Sequence, residues 1–161
     1  MAANQERNFI REAAALLQAA RSGTLATIEA GRPHAALVTP ALGPDGFVLL
    51  LLSELSAHTK HLRADPRCAL LVTGVAADAN PQTTPRLTLR GTAHPTQDVA
   101  ARAAYLRIHP YAELYAGFGD FYFWMLKPDE VYYVGGFAAA APLQIAALHH
   151  EIYTILHNRN D

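Results

Sequence analysis

The stretch Phe47 to Pro66, FVLLLLSELSAHTKHLRADP, constrains this chain more than any other. It opens on an apolar run without charge, Phe47 to Leu52. A run this short, bounded by turn residues, reads as a buried strand. It breaks at Ser53-Glu54, and a helix opens at Ser56. The first helical turn carries Ser56, His58, Thr59 and Lys60. Free backbone N–H groups, the positive end of the helix dipole, two hydroxyls and two candidate cations would converge there. Such a spot suits a phosphate. The same residues also fit a plain surface helix capped by Ser56.

The segments on either side extend this strand-to-helix unit. Asn4 to Arg21 reads as an amphipathic helix, with Phe9, Ala13, Leu16 and Leu17 on one side and Glu6, Arg7 and Arg11 on the other. Thr24 to Glu29 and His34 to Leu42 read as strands, and Gly43-Pro44-Asp45-Gly46 is a tight turn into Phe47 to Ser53. Three strands joined by short turns predict antiparallel pairing. Arg67 to Thr73 reads as a fourth strand, and 74–85 as a long hairpin loop. Arg86 to Ala93 alternates, with Leu87 and Leu89 on one face and Arg86, Thr88 and Arg90 on the other. Thr96-Gln97-Asp98 opens a helix to about Ile108, stopped at His109-Pro110. A short helical piece, Tyr111 to Ala116, follows. Phe121 to Leu126 reads as an aromatic strand, Lys127 to Glu130 as a turn, and Val131 to Val134 as a last strand. Pro142 to about Leu156 closes the chain as a helix.

This order predicts a mainly β fold with α-helices: a six- to seven-stranded antiparallel split β-barrel with peripheral helices. The expected organisation is a single domain over 1–161. Its barrel would lie at about 22–140, flanked by helices at 4–21 and 142–156.

Charge bears on partners. Lys plus Arg is 13 and Asp plus Glu is 14, a balance that points to neither nucleic acid nor an anionic membrane surface. The single cysteine, Cys68, lies in the apolar run Cys68 to Val72 and reads as a buried residue of a reducing compartment. No apolar run approaches membrane-spanning length, and the N-terminal residues lack a signal-peptide pattern. A cytoplasmic location is the expectation.

Several strings together carry a family resemblance. They are Thr24-Leu25-Ala26-Thr27, then Leu52 to Leu62 followed by Asp65-Pro66, and Arg86-Leu87-Thr88-Leu89-Arg90-Gly91. His109-Pro110 with Tyr115, Asp120-Phe121 and Gly135-Gly136-Phe137 add to them. On these the chain resembles the FMN-binding split barrels of the pyridoxamine 5′-phosphate oxidase type, and more narrowly their haem-utilisation branch. The resemblance implies FMN held at a homodimer interface. Its phosphate would sit at Ser56, His58, Thr59 and Lys60. Its ring would lie along Ala35, Ala36, Leu37, Val38 and Thr39 and against Ser53, with Arg86 reaching it from the fifth strand. Gly135-Gly136-Phe137 resembles the closing turn of the family.

Departures narrow the expectation. Pyridoxamine phosphate oxidases carry an arginine where this chain has Ala35, and basic residues near the C-terminus where it has Phe137 to Ala141. Oxidation of pyridoxamine phosphate is therefore not expected. Haem-degrading members use a C-terminal histidine on iron, and His149, His150 and His157 are available. The same three fit the polar side of an amphipathic helix whose apolar side is Ile145, Leu148, Ile152 and Ile155. His58 and His61 stand one turn apart without a third ligand at metal spacing, so His58 reads as a phosphate contact and His61 as a solvated surface residue. His150-Glu151 fails the zinc-protease pattern because Thr154 stands where the second histidine belongs, and Gly117-x-Gly119 lacks the setting of a dinucleotide loop.

No triad, carboxylate pair or Walker loop is visible, so any chemistry belongs to a cofactor. Three functions follow: an FMN-dependent oxidoreductase acting on a small molecule, a haem-binding or haem-degrading protein on the same barrel, and a non-enzymatic flavin-binding protein.

Overall fold

The computed structural model of the chain describes residues 2–136 and 139–158. Phe137 and Ala138, which figured in the closing turn and the uncharged segment, lie outside the described residues. Helix α1 spans Ala2–Ala19, and β1 (Gly23–Glu29) turns into β2 (Arg32–Val38) through Ala30 and Gly31, both at positive φ. β3 (Ala41–Leu42), β4 (Val48–Ser53), α2 (Ala57–Ala64) and β5 (Arg67–Thr73) follow. After a 3-10 turn at Pro81–Thr83 come β6 (Arg86–Thr96), α3 (Val99–Ile108) and a second 3-10 turn at Pro110–Leu114. β7 (Phe121–Gly136), β8 (Ala139–Pro142) and α4 (Ile145–His157) complete the order.

All strands pair antiparallel in one open sheet, in the order β2-β1-β5-β6-β7-β4-β3, with β8 added to β7. This is the split barrel expected from the sequence, with eight strands among the described residues. β4 is charge-free because both its faces are covered. Val48, Leu50 and Leu52 enter the main core with α1 and α4, while Leu49 and Leu51 enter a second core with Tyr105 of α3 and Phe123. Burying each of these leucines contributes roughly 1.5–3 kcal/mol, which makes β4 the strand that joins the two cores.

Four local expectations change. The second strand stops at Val38 because Pro40 has no N–H to give a ladder, and Thr39 turns to α3 instead. Lys127 to Glu130 is not a turn: β7 runs straight through it, and the Pro-Asp signal belongs to a bulge. Arg90 faces Glu130 while Gly91 faces Pro128, so Asp129 is the extra residue. A Cβ on Gly91 would collide with the Lys127 carbonyl and lie 2.8 Å from Pro128 Cα, so only glycine fits opposite the bulge. Ala139–Pro142 pairs with β7 as β8, and α4 begins at Ile145 rather than Pro142.

Candidate functional site

The site is assembled where β4 delivers the chain into α2. Ser53 Oγ donates to Asp120 Oδ2 at 2.7 Å, and the Glu54 N–H donates to the Asp120 carbonyl at 2.7 Å. These bonds fix the loop before the helix. Ser56 takes the N-cap position with extended backbone, yet its side chain makes no capping bond. The first N–H groups of α2 are therefore left to solvent or to a ligand. Ser53, the expected cofactor contact from β4, spends its hydroxyl on Asp120 and on the Leu55 N–H.

The first turn of α2 splits into two sides. Lys60 is exposed, and Ser56 and His58 are half-buried. Thr59 is fully buried, and its Oγ1 has no hydrogen-bond partner among the described residues. Thr59 thus faces the protein rather than the open side where a phosphate would approach. His58 has its pKa held below the ordinary value, first by burial and then by the neighbouring imidazoles of His34 and His61. It stands as a neutral imidazole near pH 7, not as the cation the sequence suggested.

His61 is the clear correction. It is 6% exposed, and its Nδ1 shares a 3.0 Å hydrogen bond with Thr27 Oγ1 of β1. Its Nε2 lies 3.7 Å from Glu29 Oε1, and its ring meets His34 edge-on at 5.0 Å between centroids. The reason is the amphipathic period of α2: His61 lies next to Leu62 on the side packed against β1. His34 was missed from the sequence. Its signal was the hairpin register, since His34 pairs with Thr27 across β1–β2. Among the described residues no group of three histidine, cysteine or carboxylate side chains is arranged to hold a metal ion.

β2 forms an edge of the sheet, paired only with β1 among the described residues. Its outward side presents Ala35 and Leu37, the latter 78% exposed, while Ala36 is half-buried and Val38 buried. Thr39 lies apart from this surface: the Tyr105 hydroxyl donates to its carbonyl at 3.0 Å, and its own hydroxyl donates to Tyr105 at 2.7 Å. Arg86 is also apart. Its guanidinium donates to the carbonyls of Gln82 and Thr84, holding the loop before β6. It pairs with Thr73, six residues and roughly 20 Å along β5 from the Arg67 end that α2 feeds. Within one chain α2 meets β1 at Thr27 and β2 at His34, Ala35 and Leu37 lie on the opposite face of β2 from His34, and Thr39 and Arg86 are tied to other parts of the fold.

The tail histidines stand elsewhere. His149 Nε2 bonds to the Asp45 carbonyl at 2.7 Å, and its ring lies 5.0 Å from Phe47. His157 stacks on Tyr153 at 3.8 Å, with Nδ1 bonded to the Tyr153 carbonyl. His150 is exposed on α4. Cys68 is no nucleophile, because burial, with a smaller push from Asp129, raises its thiol to about 12. Among the described residues no helix is long and apolar enough to cross a membrane.

The open antiparallel sheet and the helix entered from its charge-free strand define a protein of the split-barrel class. The chain belongs to the pyridoxamine 5′-phosphate oxidase family, whose model matches residues 9–135. It is 37% identical over 137 residues to the chloroplastic non-canonical heme oxygenase HOZ of Arabidopsis thaliana, covering 81% of this chain and 41% of that protein. Among solved structures it resembles the heme binding protein from Mycobacterium smegmatis, with 31% identity and a TM-score of 0.80 over 90% of this chain and 60% of that one. It also shares its fold with HutZ, the heme storage protein from Vibrio cholerae, at 18% identity and a TM-score of 0.59 over 74% and 90% of the two chains. The chain thus spans less than two thirds of the length of the first two of these relatives.

Proposed function

We propose that this chain binds haem on the surface shared by the start of α2 and the edge strand β2, and that it does so as a homodimer. The observation that carries the proposal is the His58 imidazole. It is half-buried and held neutral, on a helix packed against the edge strand β2 at His34. Neutral imidazole is the form that ligates iron, and an apolar strand suits the porphyrin face. Lys60 and the uncapped helix start supply positive field for carboxylates. Two relatives above 30% identity, both named for haem, support the reading. Bound haem would supply iron redox chemistry; the protein holds it and limits its exposure to water. Dimerisation would cover Leu37, whose exposure on an edge strand is costly for a monomer.

The test is a haem titration followed by visible absorption, with size determined by light scattering. Saturable uptake in wild type and at least a tenfold loss in His58→Ala are expected, as is a monomeric Leu37→Asp variant. Loss in His149→Ala, His150→Ala or His157→Ala instead, with His58→Ala unchanged, would overturn the ligand assignment. Adding a reductant and oxygen to the complex then reads whether bound haem is degraded.

A second reading is FMN at the same place, favoured by the missing side-chain cap on Ser56, which leaves α2 N–H groups free for a phosphate. Saturable flavin uptake that is lost in a Ser56→Pro, Lys60→Glu variant would favour it, and turnover with a reduced nicotinamide would make the chain an oxidoreductase.

A further inference from the structure

A cavity of about 490 Å³ lies away from α2, where α1 and α4 cover the barrel. Its wall is Leu17, Val48, Leu89, Val131 and Ile152, all of them part of the main core or packed into it. The cavity opens to solvent beside Ala146 and Lys127, and its inner wall is apolar. The volume falls within the roughly 300–1,000 Å³ of small-molecule pockets.

Polar groups enter the cavity at one place. His149 contributes a ring but no unmet nitrogen at Nε2, which the Asp45 carbonyl occupies. Lys127 is the only charged residue of the lining. It is exposed, its Nζ lies 5.2 Å from the Phe47 ring, and it joins no ion pair among the described residues. Lys127 and Pro128 line the cavity on β7, just before the bulge at Asp129. The long Lys127 side chain puts a cation at the rim of an apolar chamber.

We infer that this chamber binds an apolar single-chain molecule ending in one anionic group, such as a medium-chain carboxylate. The chain would lie between α4 and the barrel, and its head would meet Lys127 Nζ. One cation suits one anionic head, and the apolar wall offers a second head no partner. The site is independent of the haem reading, since neither His58 nor β2 contributes to it.

Calorimetric titration with decanoate, decanol and decyltrimethylammonium tests this. Decanoate should bind saturably at one site per chain, more tightly than decanol, with the cation weakest. Lys127→Met should bring decanoate down to the level of decanol, about a fivefold loss. Ala146→Phe, placed at the exposed edge of the cavity, should abolish both while leaving circular dichroism and haem uptake unchanged. Absence of saturable decanoate binding would overturn the inference. So would equal binding of the alkyl cation, unchanged binding in folded Ala146→Phe, or competition between decanoate and haem for one site. If Ala146→Phe does not fold, Lys127→Met decides alone: decanoate binding there equal to wild type overturns the anionic-head assignment.

Discussion

His61 Nδ1 and Thr27 Oγ1 meet at 3.0 Å inside the protein, and this bond ties α2 to β1. Both residues are almost fully buried. Removing one partner strands the other, at a cost of about 1–3 kcal/mol, whereas removing both is nearly neutral. Thr27→Val should lower the unfolding free energy by that amount in a denaturant titration. The double variant Thr27→Val, His61→Leu should recover part of it. Simple additivity of the two single losses would show that the bond contributes nothing of its own.

Thr59 gives a prediction of opposite sign. Its Oγ1 is buried without a hydrogen-bond partner among the described residues. Thr59→Val keeps the shape and removes the unmet hydroxyl, so the ligand-free protein should gain about 1 kcal/mol. The same variant should take up flavin or haem as wild type does, because the hydroxyl faces inward. Reduced uptake together with reduced stability would contradict this orientation.

The pH dependence of stability follows from His58. Its folded pKa lies below its unfolded value because of burial and the nearby imidazoles. The contribution is complete above the unfolded pKa of about 6.5. As pH falls below that value the unfolded chain takes up the proton first, and stability declines until the folded pKa is passed. The melting temperature should therefore drop between about pH 7 and pH 5, and His58→Gln should flatten that part of the profile. An identical slope in the variant would place the acid sensitivity elsewhere.

Gly91 sits opposite the β7 bulge with no room for a side chain. Gly91→Ala requires the backbone of Lys127 or Pro128 to move, and should cost about 3 kcal/mol or more. Its melting temperature against wild type checks this. A nearly neutral substitution would mean that the bulge relocates freely.

Much of this was readable from residue order. The uncharged run before α2, the alternation of Arg86 to Ala93 and the Asp98 start of α3 all follow from local pattern, and the Asp98 side chain does accept from the Ala100 N–H. Lys127 to Glu130 misled because Pro and Asp are turn residues as often as bulge residues, and only the partner strand β6 decides between them. Ala139–Pro142 has too little side chain to show a period. His61 and Thr59 were assigned roles from their position at a helix start. Which side of an eight-residue helix is covered depends on β1, more than thirty residues earlier.

The pairing of β4 has a consequence for synthesis. Val48 to Ser53 finds its long ladder partner in Phe121–Leu126 at the start of β7, while β3 pairs only with Val48 and Leu49 on its other edge. Until that segment leaves the ribosome, a charge-free strand waits with one edge largely open. Growing chains stalled in this interval are the ones most at risk of sticking to one another, and the most in need of a chaperone.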